Sequence, residues 1–351
     1  MKDPARAYSE ESTAAALVEA LRDPVAVVGA DARVAAANAP MRMVVPGLRV
    51  GELLALSLRS PDVLDAVARV LSGGPAESVF WRERAHVERV FEVAVGGLDV
   101  GPGERARQVV LTLRDLTEAR RIERMRADFI ANASHELRTP LASVLGFIET
   151  LQGAAKDDPE AREKFLSIMR DQARCMSRLI EDLLSLSRIE QNEHLRPVVP
   201  VDLVTIVGHV VDTLSPMARE NSVTLEVSAP EELIVKGERD ELVRVAENLI
   251  ENAIKYGSRN DGLPTSVEID LAREGKEAAL SVRDHGPGIA PEHLPRLTER
   301  FYRVDAGASR AKGGTGLGLA IVKHIVARHR GRLSIDSSSG QGAVFRVTIP
   351  E

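Results

Sequence analysis

The chain has one cysteine, Cys175, in 351 residues. A single thiol excludes an internal disulfide framework and any zinc centre built from several thiolates, and it fits a reducing compartment. No stretch reaches the roughly 18 apolar residues that a helix needs to cross a bilayer. The opening Met1-Lys-Asp-Pro-Ala-Arg6 also lacks the apolar core of a signal peptide. The sequence as it stands therefore reads as cytoplasmic, without a membrane span; a longer natural chain with an anchor ahead of it would be membrane-associated. An excess of positive charge is missing too. With a formal net charge of -6, nothing recommends nucleic acid as a partner. What is present, 44% hydrophobic and 28% charged residues, is the balance of a globular protein of two or three domains.

After a tail over residues 1–11, the segment 12–115 reads as a leading helix followed by strands and turns. Pro24 to Val28 and Arg33 to Ala37 form a hairpin about Gly29-Ala-Asp31, and a helical stretch follows. Ser78 to Arg84, Glu88 to Val95 and Gln108 to Leu113 are strands, with Gly96-Gly97 and Gly101-Pro-Gly103 separating the last two. The opening Asp23-Pro-Val-Ala-Val-Val28, Asn38 after the second strand and the exit Asp115-Leu-Thr-Glu118 resemble a PAS sensor domain. This segment has no cysteine, which excludes a cysteinyl-flavin adduct, and His86 is its one candidate haem ligand.

Asp115 and Glu118 suit a helix start, because acids there meet free N–H groups and the positive end of the dipole. From that point Ile130, Ala133, Leu137, Leu141, Val144 and Ile148 recur at three- and four-residue steps as one apolar stripe. His135 lies two residues past Ala133, about 200° around the helix, and projects to solvent. Pro140 removes one helix bond and suggests a bend just after it. Beyond a break at Gly153 to Pro159, a second helix carries Phe165, Met169, Met176, Ile180, Leu183 and Leu186 on one face, with Cys175 as a buried small hydrophobe. Two such helices over 116–195 make an antiparallel hairpin with an unburied face. Either two chains pair into a four-helix bundle, or the hairpin packs on other domains of its own chain.

Pro197-Val-Val-Pro-Val201 marks a boundary to the segment 196–351. There, helices Val201 to Glu220, Asp240 to Tyr256 and Leu317 to His329 alternate with strands Thr224 to Val227, Val267 to Leu271, Ala278 to Arg283, Arg332 to Asp336 and Ala343 to Ile349. That pattern is a two-layer α/β sandwich. Asn248, Asn252 and Lys255 or Tyr256 share one polar helix face. An amide oxygen is a hard ligand suited to a Mg²⁺ ion that sits on triphosphate oxygens and keeps most of its waters. Asp284-His-Gly-Pro-Gly288 ends a strand with an acceptor for an exocyclic amine, and Gly286 and Gly288 permit close approach of a ligand. Gly313-Gly-Thr-Gly-Leu-Gly318 opens a helix, where free N–H groups and the dipole favour phosphate. The spacing matches neither a P-loop nor a Rossmann fingerprint.

Taken with Arg300-Phe-Tyr-Arg303 and His135-Glu-Leu-Arg-Thr-Pro140, these motifs resemble, in order, a sensor histidine kinase of two-component signalling, from Ala119 onward. The PAS exit running straight into the acceptor helix is similar to the phosphate-regulon group. The resemblance implies an α+β multidomain chain: a PAS-like sensor, a hairpin forming a dimeric four-helix bundle, and a two-layer ATP-binding domain of the GHKL (Bergerat) type. It implies that His135 attacks the γ-phosphate of ATP and passes the phosphoryl group to an Asp on a response-regulator receiver domain. Glu136 would orient the imidazole and take its proton. Thr139 would position water for the reverse, phosphatase activity, although its hydroxyl could equally bond its own helix. Asn252 would hold Mg²⁺ with Asn248 beside it. Lys255 and Arg303 would pair with phosphates, Tyr256 would flank the base or sugar, and Asp284 would read the adenine amino group. Gly286, Gly288, Gly314, Thr315, Gly316, Leu317 and Gly318 would cradle the nucleotide, and Lys312 would belong to a lid over 305–315. Two other readings compete: a sensory scaffold or phosphatase-dominant regulator with little kinase activity, and a GHKL chaperone or topoisomerase subunit, which leaves His135 unexplained.

Overall fold

The computed structural model describes residues 16–84, 88–99, 107–257, 265–305, 307 and 314–351. His86, Gly101-Pro-Gly103, Lys312 and most of the lid stretch lie outside the described residues. Two compact units meet between Asp128 and Phe129.

In the first unit, β1 (Val25–Val28) and β2 (Val34–Ala37) form the expected hairpin, followed by α1 (Ala39–Val44), α2 (Leu54–Ser57) and α3 (Pro61–Leu71). Then come β3 (Glu77–Arg84), β4 (Glu88–Asp99) and β5 (Arg107–Asp115), giving an antiparallel sheet in the order β2-β1-β5-β4-β3. Phe91, Val93 and Val95 of β4 alternate into the core with Val109, Leu111 and Leu113 of β5, against Val63, Ala66, Val67 and Val70 of α3. The glycine pair does not end its strand. Gly96 and Gly97 sit inside β4, opposite Val110 and Val109. A Cβ on Gly97 would lie 3.2 Å from the Arg107 guanidinium and 3.5 Å from Val70, so the glycine answers to packing from the side and not to a turn.

Asn38 is fully buried and ties this unit together. Its Oδ1 accepts the N–H groups of Val25 (3.0 Å) and Met41 (2.9 Å), while Nδ2 donates to the carbonyls of Leu21 (3.1 Å) and Asp23 (2.7 Å). Asn38→Ala strands all four backbone groups and is expected to cost about 3 kcal/mol. Trp81, the one tryptophan, stacks on Phe91 at 5.2 Å, so its fluorescence in a urea titration reads the stability of this unit. At the end of β5, the Asp115 carboxylate accepts from the Thr117 N–H (2.9 Å) and holds Arg89 (3.1 Å), and the Thr117 hydroxyl accepts from the Val90 N–H (3.0 Å). The next helix is thus bonded to the sheet at its first residue.

That helix, α4 (Thr117–Gln152), continues into the second unit and passes Pro140 without interruption. Asp158 caps α5 (Pro159–Gln191), accepting from the Ala161 N–H at 2.9 Å, and Phe147 stacks on Phe165 at 5.0 Å to close the hairpin. Both packing alternatives for the hairpin have a counterpart in the chain. Leu179, Leu186 and Ile189 of α5 are buried in the core of the following domain, whereas Ile130 and Leu145 on α4 and Leu166 and Leu184 on α5 are all more than half exposed. Cys175, expected to be buried, is half-exposed, because the face of α5 it occupies borders an open groove instead of a helix.

The last domain contains β6 (Pro200–Asp202), α6 (Leu203–Glu220), β7 (Val223–Ser228), β8 (Ile234–Lys236), α7 (Arg239–Gly257), β9 (Thr265–Glu274), β10 (Glu277–Asp284), a 3-10 turn (Leu294–Arg296), α8 (Gly318–Arg328), β11 (Arg332–Ser337) and β12 (Ala343–Pro350). The main sheet runs β11-β12-β10-β9-β7, antiparallel except for β7 with β9. Its buried face meets α6, α7 and α8, which makes the expected two layers. Val201 does not start the helix as expected. It pairs with β8, and Asp202 caps α6 through the N–H groups of Val204 and Thr205, both at 3.1 Å.

His329 at the end of α8 is fully buried, with Nδ1 2.8 Å from the Ile325 carbonyl and Nε2 accepting the Glu238 N–H at 3.1 Å. The two partners require the neutral ring with its proton on Nδ1. Burial holds its pKa below the usual 6.5, outweighing the carbonyl bond, with the Arg328 charge adding to it. A histidine depressed in this way contributes stability that is complete above the unfolded pKa and lost as pH falls through the folded one. The stability advantage of the wild type over His329→Leu, followed by circular dichroism in urea, is therefore expected to narrow from about pH 7 to about pH 5.

Candidate active site

On α7, Leu249, Ile250, Ala253 and Ile254 are buried in the core, which leaves Asn248, Asn252 and Lys255 along the opposite, half-buried face. Asn248 Nδ2 donates to the Arg244 carbonyl at 2.8 Å, leaving its oxygen toward Gly318 at the start of α8. The Lys255 ammonium sits 2.6 Å from Glu251 one turn earlier, and its side chain is 13% exposed. Tyr256 ends the face with 37% exposure.

Asp284 closes β10 at 6% exposure. One carboxylate oxygen accepts the Gly286 N–H at 2.9 Å. Burial pushes its pKa above the ordinary aspartate value, against N–H bonds from Gly286 and Ala343 and the nearby His285. The glycines about it serve the chain's own packing first. A Cβ on Gly286 would stand 2.3 Å from the Tyr256 carbonyl, and one on Gly288, at φ +70°, 2.0 Å from the Ser338 carbonyl. Backbone packed against backbone therefore requires glycine at both positions.

The Gly314-Thr-Gly-Leu-Gly318 stretch is built in the same manner. Gly316 has φ +71°, and its carbonyl accepts the Phe301 N–H at 2.7 Å. Phe301 itself has φ +63°, a conformation that costs a bulky residue about 1–2 kcal/mol. It is held there by its ring, which packs on the core and lies 5.8 Å from Phe129 of α4. Leu317 is fully buried as a core anchor, and a Cβ on Gly318 would meet Asn248 Oδ1 at 2.2 Å. Leu317 gives α8 no side-chain cap among the described residues, its own N–H is accepted by the Thr315 hydroxyl at 3.3 Å, and the positive end of the helix dipole lies beside Asn248.

With Phe301 locked, its flanking arginines reach the hairpin. Arg300 pairs with Glu190 of α5 at 2.5 Å and lies over the Phe129 ring at 5.2 Å. Arg303 pairs with Glu136 of α4 at 3.0 Å; its side chain is 7% exposed, and its buried Nε has no hydrogen-bond partner among the described residues. Asp182 of α5 takes Arg244 of α7 on one oxygen (2.5 Å) and the Thr315 hydroxyl on the other (2.7 Å). Arg303, Glu136 and Thr315 also line a groove of about 850 Å³, together with Thr139, Cys175 and Gly314 among others. His135 is exposed on the adjoining face of α4, and the Thr139 hydroxyl donates to the His135 carbonyl at 3.3 Å. Asp182, Glu190 and Arg244 went unnoticed in the sequence, because each is one charge among many on a helix and its partner is 62 to 133 residues away.

Comparison with known proteins accounts for this assembly. Residues 125–192 match the profile of the His Kinase A (phospho-acceptor) domain, and residues 237–351 that of the histidine kinase-, DNA gyrase B- and HSP90-like ATPase. The phosphate regulon sensor protein PhoR of Pseudomonas aeruginosa is 39% identical over 239 residues, 68% of this chain and 53% of that protein. The sensor-like histidine kinase SenX3 of Mycolicibacterium smegmatis is 38% identical over 245 residues, 70% of this chain and 62% of that one. Among solved structures, the Acinetobacter baumannii histidine kinase AdeS is 26% identical and covers 62% of this chain and 97% of its own, with a TM-score of 0.48. The chain thus spans a little over half the length of the curated relatives named here. With a phosphoacceptor hairpin followed by its ATPase domain, matched together over more than half its residues, the chain belongs to the sensor histidine kinases.

Proposed function

We propose that this protein transfers the γ-phosphoryl group of Mg-ATP to His135 and from there to an aspartate of a response-regulator receiver domain. The observation that carries this is the single groove in which the glycine motif at Gly314 and Thr315 faces Glu136, the neighbour of the exposed His135. The donor set fits a nucleotide. The start of α8 and the Arg303 guanidinium suit phosphate oxygens, and the buried Asp284 carboxylate suits an exocyclic amine. Asn252 offers the hard amide oxygen that a magnesium ion takes alongside phosphate and water, and Asn248 stands one turn away on the same face. Magnesium, when bound, neutralises charge on the transferring phosphate.

In the transfer, a ring nitrogen of His135 forms the bond to phosphorus as the bond to the ADP oxygen breaks. The ring proton passes to Glu136. A neutral imidazole supplies the lone pair for this attack. Glu136 is paired with Arg303 at 3.0 Å in this arrangement, so taking the ring proton requires its carboxylate to turn toward the imidazole. Thr139 would serve phosphatase chemistry only after giving up its bond to its own helix. The exposed leucine and isoleucine stripe of α4 and α5 supports a homodimer through a four-helix bundle. The antiparallel five-stranded sheet with its flanking helices supports a PAS-type sensor in residues 12–115, whose Asp115–Thr117 junction would pass strain into α4.

The test is incubation of the purified chain with γ-labelled ATP, with magnesium or with a chelator, followed by addition of a receiver domain. Label that needs magnesium and then moves to the receiver supports the reading. Nucleotide bound without any label would leave a sensory scaffold instead.

A further inference from the structure

We propose that Asp182 is a positioning residue that competes with the nucleotide for the glycine motif, so that hairpin docking and ATP binding oppose each other. This rests on the ATP-binding role proposed above.

Two observations lead to it. Thr315 belongs to the glycine motif, and its hydroxyl donates to Asp182 Oδ2 at 2.7 Å, the hydrogen bond a phosphate oxygen would accept from the same group. The carboxylate that takes it is 18% exposed on its side chain and is held by Arg244 on its other oxygen at 2.5 Å. A fixed anion therefore stands at a motif otherwise arranged for anions, with N–H groups at the start of α8 and the Arg303 guanidinium close by on the groove. Like charge beside a triphosphate raises the free energy of the bound state, and Arg244 offsets part of that.

Two further ion pairs of the hairpin have the same polarity. Glu136 meets Arg303 and Glu190 meets Arg300, so acids on the hairpin face bases on the nucleotide domain at each of these points. His135 does not line the groove, while Glu136, Thr139 and Arg303 do. The docked arrangement thus turns the neighbours of the acceptor toward the glycine motif, and ATP, in taking Thr315 away from Asp182, releases one of its ties. Because binding linkage is reciprocal, whatever docks the hairpin more firmly weakens nucleotide affinity by the same factor.

The experiment measures binding of a non-hydrolysable ATP analogue with magnesium by calorimetry, in a His135→Ala background so that transfer cannot intervene. Asp182→Asn is expected to tighten binding by about fivefold, the lower end of usual coupling. Arg244→Gln, which leaves Asp182 uncompensated, is expected to weaken it, and the double variant to return to the level of Asp182→Asn alone. Hydrogen exchange over residues 179–186 is expected to quicken when the analogue binds, and to lose that response in Asp182→Asn. Unchanged or weaker binding in Asp182→Asn, with the parent still binding the analogue, would overturn the competition and leave the kinase reading intact. Equal weakening by Arg244→Gln with and without Asp182 would overturn it as well, making Arg244 a direct phosphate contact. No binding by the parent would remove the ATP reading itself and this proposal with it.

Discussion

His135→Ala is expected to take up less than about one-thousandth of the wild-type phosphoryl label from ATP, because the transfer then has no acceptor nitrogen to form the new bond. The protein should otherwise be unharmed. His135 is exposed on α4, so its truncation is expected to move stability by no more than about 0.5 kcal/mol and to leave nucleotide affinity unchanged. Titrating a fluorescent nucleotide into the variant separates the two halves of the expectation. Loss of label together with loss of binding would mean that the histidine supports the fold of the site and not its chemistry. Label surviving on the variant would move the acceptor elsewhere, with Ser134 and Thr139 the nearest hydroxyls on the same helix.

Asp284→Asn is expected to weaken nucleotide binding by about 100-fold, equivalent to about 3 kcal/mol, while leaving the nucleotide-free protein as stable as the wild type or more so at pH 7. Binding suffers because an asparagine keeps one acceptor for the Gly286 N–H but turns an NH₂ donor toward the donor amine it is meant to read. Stability does not suffer because the carboxyl is held above its ordinary pKa by burial. A group raised in this way contributes stability that is fully present below its unfolded pKa and lost as pH rises through the folded value, so at neutral pH the ionised form is a cost that asparagine removes. Parallel urea titrations and nucleotide titrations at pH 7 and at acid pH check both parts. The stability difference between variant and wild type should shrink in acid. A variant that is less stable at neutral pH and binds normally would mean that Asp284 is a structural residue of the β10 turn.

How far this was legible in the sequence depends on the range of the interactions involved. The α4 and α5 hairpin, the α7 face bearing Asn248 and Asn252, and most strands follow from periodicities of three to four or two residues, which local side-chain packing imposes. Where an element obeyed a distant partner, the sequence reading missed it. Gly96 and Gly97 continue β4 opposite Val110 and Val109, and at Gly97 Arg107 and Val70 leave no room for a side chain. Pro200 and Val201 join β8, more than 30 residues away, and not the helix beside them. The glycine motifs were recognisable by composition, but their physical reason is contact with the Tyr256, Ser338 and Phe301 backbones, which no local window contains. Lys255 has Glu251 four residues before it, a pairing that helical spacing alone makes legible, whereas Glu136, the partner of Arg303, emerges only in three dimensions. The same holds for Asp182, whose two partners belong to different elements of the nucleotide domain.

The claim on which the account turns is that a nitrogen of His135 carries the phosphoryl group. The most direct measurement is to phosphorylate the wild type with magnesium and γ-labelled ATP, test the labelled protein for stability in acid and in alkali, and map the label by peptide mass spectrometry at neutral pH. The account predicts a label that is lost in acid, survives alkali and maps to the peptide containing His135. A label stable in acid, or one mapped to a serine, threonine or aspartate elsewhere in the chain, would contradict it.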